Sequence, residues 1–301
     1  MSTPEPGRRD RLVLILEAAA SPRLRHAVTV VIFGMALVAP TVRALLGWPG
    51  ALAALAGVAV LAGVSLIARR GEIEWRGILP VSLLAFTGWM AVSAFWSEYT
   101  WATIGGVIYS VTWMFLGAFI ALSRDLIQVV RALGDALRGI LLASLAVEVL
   151  SGILIDMPLP FLGVTGHLAV GGPVQGIAGT RNALGFIAGL AILTFWIEIR
   201  TRSVRRIVSV PSLALAAGMV VASRSPVTVV VLAAVGLAGH VLLGLRRIPA
   251  VARNRLQPVI LVLGVVVAGL AWVFRVRILT FLDATSDFDA RIRVWQTLSA
   301  L

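Results

Sequence analysis

Apolar residues in this chain neither alternate nor trace a single helical stripe; they fill uninterrupted runs separated by short polar joints. A run of about 17–22 residues, rising about 1.5 Å per residue, crosses the roughly 30 Å hydrocarbon core of a bilayer. The pattern predicts nine spanning helices, at about 27–47, 50–68, 77–95, 103–122, 137–155, 182–199, 207–222, 226–244 and 257–274. The expected fold class is all-α, a polytopic transmembrane bundle. Residues 1–26 read as a basic cytoplasmic segment, 27–274 as the bundle, and 275–301 as the start of an extracytoplasmic loop.

Arginine gives the pattern a direction. All 26 basic residues are Arg, and the segments 8–25, 69–76, 124–138, 200–206 and 246–255 hold 19 of them. The alternate joints hold the other seven: Arg43, Arg181, Arg224, Arg275, Arg277, Arg291 and Arg293. The positive-inside rule then puts the N-terminus in the cytoplasm and the C-terminus outside. Residues 12–20, LVLILEAAA, have the look of a signal peptide, but the apolar stretch is short and Glu17 interrupts it. An interfacial segment is the preferred reading, because cleavage would invert every later arginine cluster.

Composition removes several classes. The chain is 59% hydrophobic and 13% charged, about half the charge of a soluble domain. A net charge of +12 suggests nucleic acid, yet the arginines lie in clusters between apolar runs and form no basic face with interleaved aromatics. Nucleic acid is therefore not expected as a partner. The absence of Cys excludes disulfides and thiolate chemistry. No nucleotide-binding, metalloprotease or nucleophile-elbow motif occurs, so neither a cofactor nor a metal is expected.

Three expected outside segments carry the candidate chemistry. Residues 96–102, WSEYTWA, form an aromatic turn suited to the headgroup layer. Residues 156–181 form a Gly/Pro-rich loop, long for a helical bundle. Residues 275–301 begin a polar segment in which Asp289 reads as a cap for a helix carrying Arg291 and Trp295; it stops at Leu301 in mid-helix, which suggests a truncated product. Arg224 lies in ASRSP, a turn too short to leave the outer hydrocarbon boundary. Its planar guanidinium suits phosphate oxygens, and the bland alternative is an arginine that snorkels to ordinary lipid. Arg181 stands where the Gly-rich loop enters a helix, with Asn182 as a candidate N-cap beside anion-friendly amides.

Further candidates are weaker. Glu148 reads as the one acid well inside a span, either a hydrogen-bonded structural residue or part of a polar pocket. Glu198 is expected near the inner interface, snorkelling or pairing with Arg200 or Arg202. His167 has the pKa range of a general base, although a lone loop histidine is more often idle. Arg293, like Arg291, has the spacing of a solvated face.

The order of these pieces resembles the O-antigen ligase and polymerase superfamily of bacterial surface-polysaccharide assembly. Four stretches between residues 93 and 295 carry the likeness: SAFWSEYTWAT (Ser93–Thr103), GTRNALGFIAGLAIL (Gly179–Leu193), ASRSPVTVVVL (Ala222–Leu232) and ARIRVW (Ala290–Trp295). The resemblance implies a glycosyltransferase in the bacterial cytoplasmic membrane, independent of metal and nucleotide. It would draw a glycan from an undecaprenyl-pyrophosphate donor at the outer face and pass it to a glycan, lipid or protein acceptor. Arg224 and Arg291 match the family positions thought to grip pyrophosphate, with Arg181 and Arg293 secondary; no catalytic residue is assigned. The family's TGSRG turn reads ASRSP here, and the sequence stops near the beginning of the long outer loop that in the family's ligases supplies a histidine. A transporter or flippase of an anionic lipid-linked sugar, or an inactive fragment, is the alternative reading.

Overall fold

A computed structural model of the chain describes residues 17, 19–71, 81–155, 157–162, 164, 166, 168, 171–281 and 295–297. Among them the fold is all-helical. The helices are α1 (Pro22–Leu37), α2 (Ala39–Ala68), α3 (Val81–Ser93), α4 (Thr100–Ser123) and α5 (Leu126–Val149), then α6 (Arg181–Thr201), α7 (Arg206–Ser223), α8 (Pro226–Arg246), α9 (Ala250–Val273) and α10 (Arg275–Phe281). Seven helices in the described residues are long and apolar enough to cross a membrane: α2, α4, α5 with its continuation to Leu154, and α6 to α9.

The difference from nine lies at the first and third expected spans. Proline causes the first. Pro40 has no N–H to donate to the Ala36 carbonyl, and its ring crowds that carbonyl. Helix α1 therefore stops at Leu37 after 16 residues, Val38 leaves helical geometry (φ −118°, ψ 35°), and α2 restarts with Pro40 in its first turn. The joint expected near residue 48 is Gly47, whose φ of +67° and ψ of 175° break α2 internally, two residues before Pro49. That conformation is open only to glycine. Helix α3 has 13 described residues, and the start expected for it at 77 lies outside the described set.

The chain divides into two units, Met1–Ser223 and Arg224–Leu301. The first unit has two cores. Val28 and Ile32 of α1, Leu55 and Ala62 of α2, and Leu116 and Phe119 of α4 form one. The other joins α5, α6 and α7 through Leu137, Leu141, Leu184, Ile187, Phe195 and Met219. Ala188, Ala191 and Ala216 are fully buried in it, and such small residues let helix backbones approach closely where lipid supplies no hydrophobic drive. In the second unit α8 and α9 present apolar side chains all round, Val230 and Leu261 among the exposed ones. A helix of that kind belongs in an apolar solvent.

The aromatic turn is shorter than expected, because α4 begins at Thr100 and takes in Trp101. Trp96, Tyr99 and Trp101 are exposed, and the Trp89 and Trp96 rings lie 5.7 Å apart. Ser97 ties the turn to α4 through a 2.7 Å hydrogen bond with Thr103.

Candidate functional site

The Gly/Pro-rich loop is built into the first unit from several helices. At its start α5 loosens into a π-helical turn, Leu150–Leu154, and Ser151 Oγ donates to the Met157 carbonyl at 2.6 Å. Farther along, the Val174 N–H donates to the Ala222 carbonyl at the end of α7, at 3.0 Å. Glu148 then takes over. Its side chain is fully buried, and Oε1 accepts the N–H groups of Gln175 and Gly176, each at 3.0 Å. Ser144, one helical turn earlier, accepts the Ile177 N–H at 3.3 Å, while the Thr41 hydroxyl of α2 donates to the Ile177 carbonyl. A carboxylate binding two amides is a charge-assisted arrangement, stronger than a neutral pair.

Glycine makes this approach possible at one position above all. Gly176 has φ +54°, and a Cβ there would run into the Ser144 side chain. Gly176→Ala therefore meets both a left-handed backbone and a steric block, and we expect it to cost about 1–2 kcal/mol from the backbone alone. Thermal unfolding in detergent checks this, with Gly171→Ala as comparison; Gly171 shares the positive φ but has open space around it.

The loop delivers the chain to α6. Gly179 adopts φ +80°, and Thr180 follows in extended geometry as the N-cap, its side chain accepting the Ala183 N–H at 3.1 Å. Thr180 thus replaces Asn182 as the cap. The left-handed Gly179 turns the chain so that the helix starts two residues earlier than sequence suggests, which leaves Arg181 and Asn182 inside the first helical turn. Both are half-buried at the amide-rich end.

Arg224 occupies the joint between α7 and α8. It is exposed and has φ +46°, in the left-handed region. Ser225 caps α8 by accepting the Thr228 N–H at 3.3 Å, and Pro226 stands in the first turn, where its missing N–H is harmless. A left-handed non-glycine residue costs about 1–2 kcal/mol relative to ordinary geometry. Arg202 does the same after α6, at φ +53°, so this conformation alone does not mark a site. Arg291, Arg293, Asp289 and His167 lie outside the described residues.

Among the described residues two acids, Glu148 and Glu198, are buried within helices. Glu198 is fully buried and pairs with Arg138 of α5 instead of Arg200 or Arg202. Its carboxylate sits against Gly134, where a Cβ would collide with it. Arg138 also donates to Asp135 Oδ1 (2.7 Å) and Ser212 Oγ (3.0 Å), and its guanidinium lies 4.8 Å from the Phe195 ring centroid. Asp135 reaches on to His26 Nε2 at 2.9 Å. In the sequence Arg138 reads only as one more joint arginine. The i, i+3 spacing of Asp135 and Arg138 was the available signal.

No cluster of three metal-ligating side chains occurs among the described residues. Comparison with family models, curated proteins and solved structures gives no match. The class is set by the helices themselves: several are apolar and long enough for a multi-pass membrane protein.

Proposed function

We propose that the chain is a membrane glycosyltransferase resembling O-antigen ligases and polymerases, working on an undecaprenyl-pyrophosphate-linked glycan at the outer face of the bacterial cytoplasmic membrane. The reading takes nine crossings with the N-terminus inside. Its chemistry is displacement at the anomeric carbon of the donor by an acceptor hydroxyl, with the lipid pyrophosphate departing. Arg224 and Arg291 hold that pyrophosphate, and Arg181, Arg293 and Asn182 stand as secondary contacts. One observation supports this most: Arg224 is exposed in the two-residue turn that follows α7, whose Ala222 carbonyl accepts the Val174 N–H of the Gly/Pro-rich loop at 3.0 Å. Cationic donors aimed at the leaving group stabilise the charge that develops there, about 2–4 kcal/mol for one lost donor.

The test compares stability with activity in a host lacking its own copy of the gene. Arg224→Gly should leave thermal stability unchanged or raise it by about 1 kcal/mol, because glycine relieves the left-handed strain. The same variant should lower surface polymer about 100-fold or more. Normal polymer in amount and length on gels would end the proposal.

Transport of an anionic lipid-linked sugar is the second reading, and the buried Glu148 and Glu198 favour it, since ionisable groups inside spans often line pathways. Reconstituted vesicles separate the two: translocation without glycan transfer selects transport.

A further inference from the structure

A second polar site lies where α1 begins and α4 meets α5. A cavity of about 370 Å³ opens there, lined by Pro22, Arg23, His26, Arg124, Gln128 and Arg131. Three pieces of chain converge on it. The first turns of α1 supply Arg23 and His26, the α4–α5 joint supplies Arg124, and Gln128 and Arg131 share one face of α5 at i, i+3 spacing.

The side chains at this cavity are held by other parts of the protein. Arg124 donates to Gln128 Oε1 at 3.2 Å and to the Pro22 carbonyl at 3.3 Å, while its Nε is buried with no partner. Arg131 donates to the Ser203 carbonyl at 2.8 Å. Two acids of this region, Asp125 and Asp135, are engaged elsewhere. Asp125 caps α5 by accepting the backbone N–H and side-chain amide of Gln128, at 2.8 and 2.9 Å. Asp135 binds His26 and Arg138. Among the described residues no carboxylate lines the cavity.

Three guanidinium groups around one cavity repel each other, and an anion between them removes that cost. Burial, and after it the Arg25 guanidinium, push Arg124 below the usual arginine range, with Asp125 partly opposing. Planar forked donors suit phosphate oxygens better than point charges do. We propose that this cavity binds a phosphate group, carried either by an anionic phospholipid headgroup or by a soluble phosphate ester. The site is independent of the transferase reading.

The test uses the full chain, delipidated in detergent. Phosphatidylglycerol and phosphatidylcholine are titrated by native mass spectrometry, and inorganic phosphate by ³¹P line broadening. Phosphatidylglycerol or phosphate should bind saturably and phosphatidylcholine should not. Arg23→Gln with Arg131→Gln should weaken that binding by about tenfold or more, as expected for lost charge-assisted bonds. Gln128→Glu, which puts a carboxylate into the cavity without touching the Arg131–Ser203 bond, should do the same. Arg200→Gln with Arg205→Gln, on another arginine cluster, should change little. Phosphate broadening that the cavity variants abolish identifies a soluble ester as the ligand class; phosphatidylglycerol binding alone identifies lipid. The proposal is overturned if neither probe binds, if both lipids bind equally, or if the cavity variants bind like the wild type.

Discussion

Arg138→Ala should be among the most damaging single changes in the first unit, lowering stability by about 3–5 kcal/mol, as for removal of one partner from a buried ion pair. Glu198 is fully buried, and Arg138 is its ion-pair partner. Removing the guanidinium leaves a carboxylate shut away from water, with its Oε1 already lacking a hydrogen bond. Asp135 and Ser212 lose their donor in the same step. The comparison that isolates the cause is Arg138→Met combined with Glu198→Leu. An apolar pair of similar volume avoids the uncompensated charge and often equals or exceeds the ion pair in stability. Thermal unfolding in detergent should place the double variant clearly above Arg138→Ala. If the two unfold together, packing of the long side chain explains the loss and the charge argument is wrong.

The Arg138–Glu198 pair also marks how far the sequence could be read. The helical class was legible because runs of about 20 apolar residues have few alternatives. Joint positions were legible where Gly, Pro and Arg cluster: Gly47 breaks α2 near the expected boundary, and Arg224 sits in the expected turn. The interruption at Val38 was missed because Pro40 lies inside an otherwise seamless apolar run. Partnerships across helices were not legible. Glu198 has arginines two and four residues away in sequence, yet its partner comes from α5, 60 residues earlier. Which helix faces which is decided by packing of small residues between α6 and α7, and a periodicity count carries no such information.

The candidate site shows the same division. Gly179, Arg181 and Asn182 announced a loop entering a helix, but the carboxylate that fixes the loop, Glu148, is donated from α5. This gives the second large expected effect. Glu148→Ala should release residues 174–181 while leaving most of the bundle folded. Two amides lose a charged acceptor, each bond contributing about 1.5–3 kcal/mol. Local opening follows the free energy of the segment rather than of the whole chain. Hydrogen exchange at Gln175, Gly176 and Ile177 should therefore accelerate by about 100- to 10,000-fold, since each 1.4 kcal/mol is a factor of ten.

Glu148→Gln keeps an oxygen that can accept both amides but removes the charge, so it should fall between wild type and alanine. The interior of α5 around Leu137 and Leu141 is a built-in control, being held by the apolar core and not by this carboxylate. Faster exchange confined to the loop, graded from glutamine to alanine, identifies Glu148 as the residue that positions the entrance to α6. Uniform acceleration through α5 and the loop would instead make it an ordinary buried residue whose loss weakens the whole unit. On the transferase reading the graded series has a second use. Arg181 follows directly from the loop, so polymer yield should fall in the same order, with no change to any group that touches the donor.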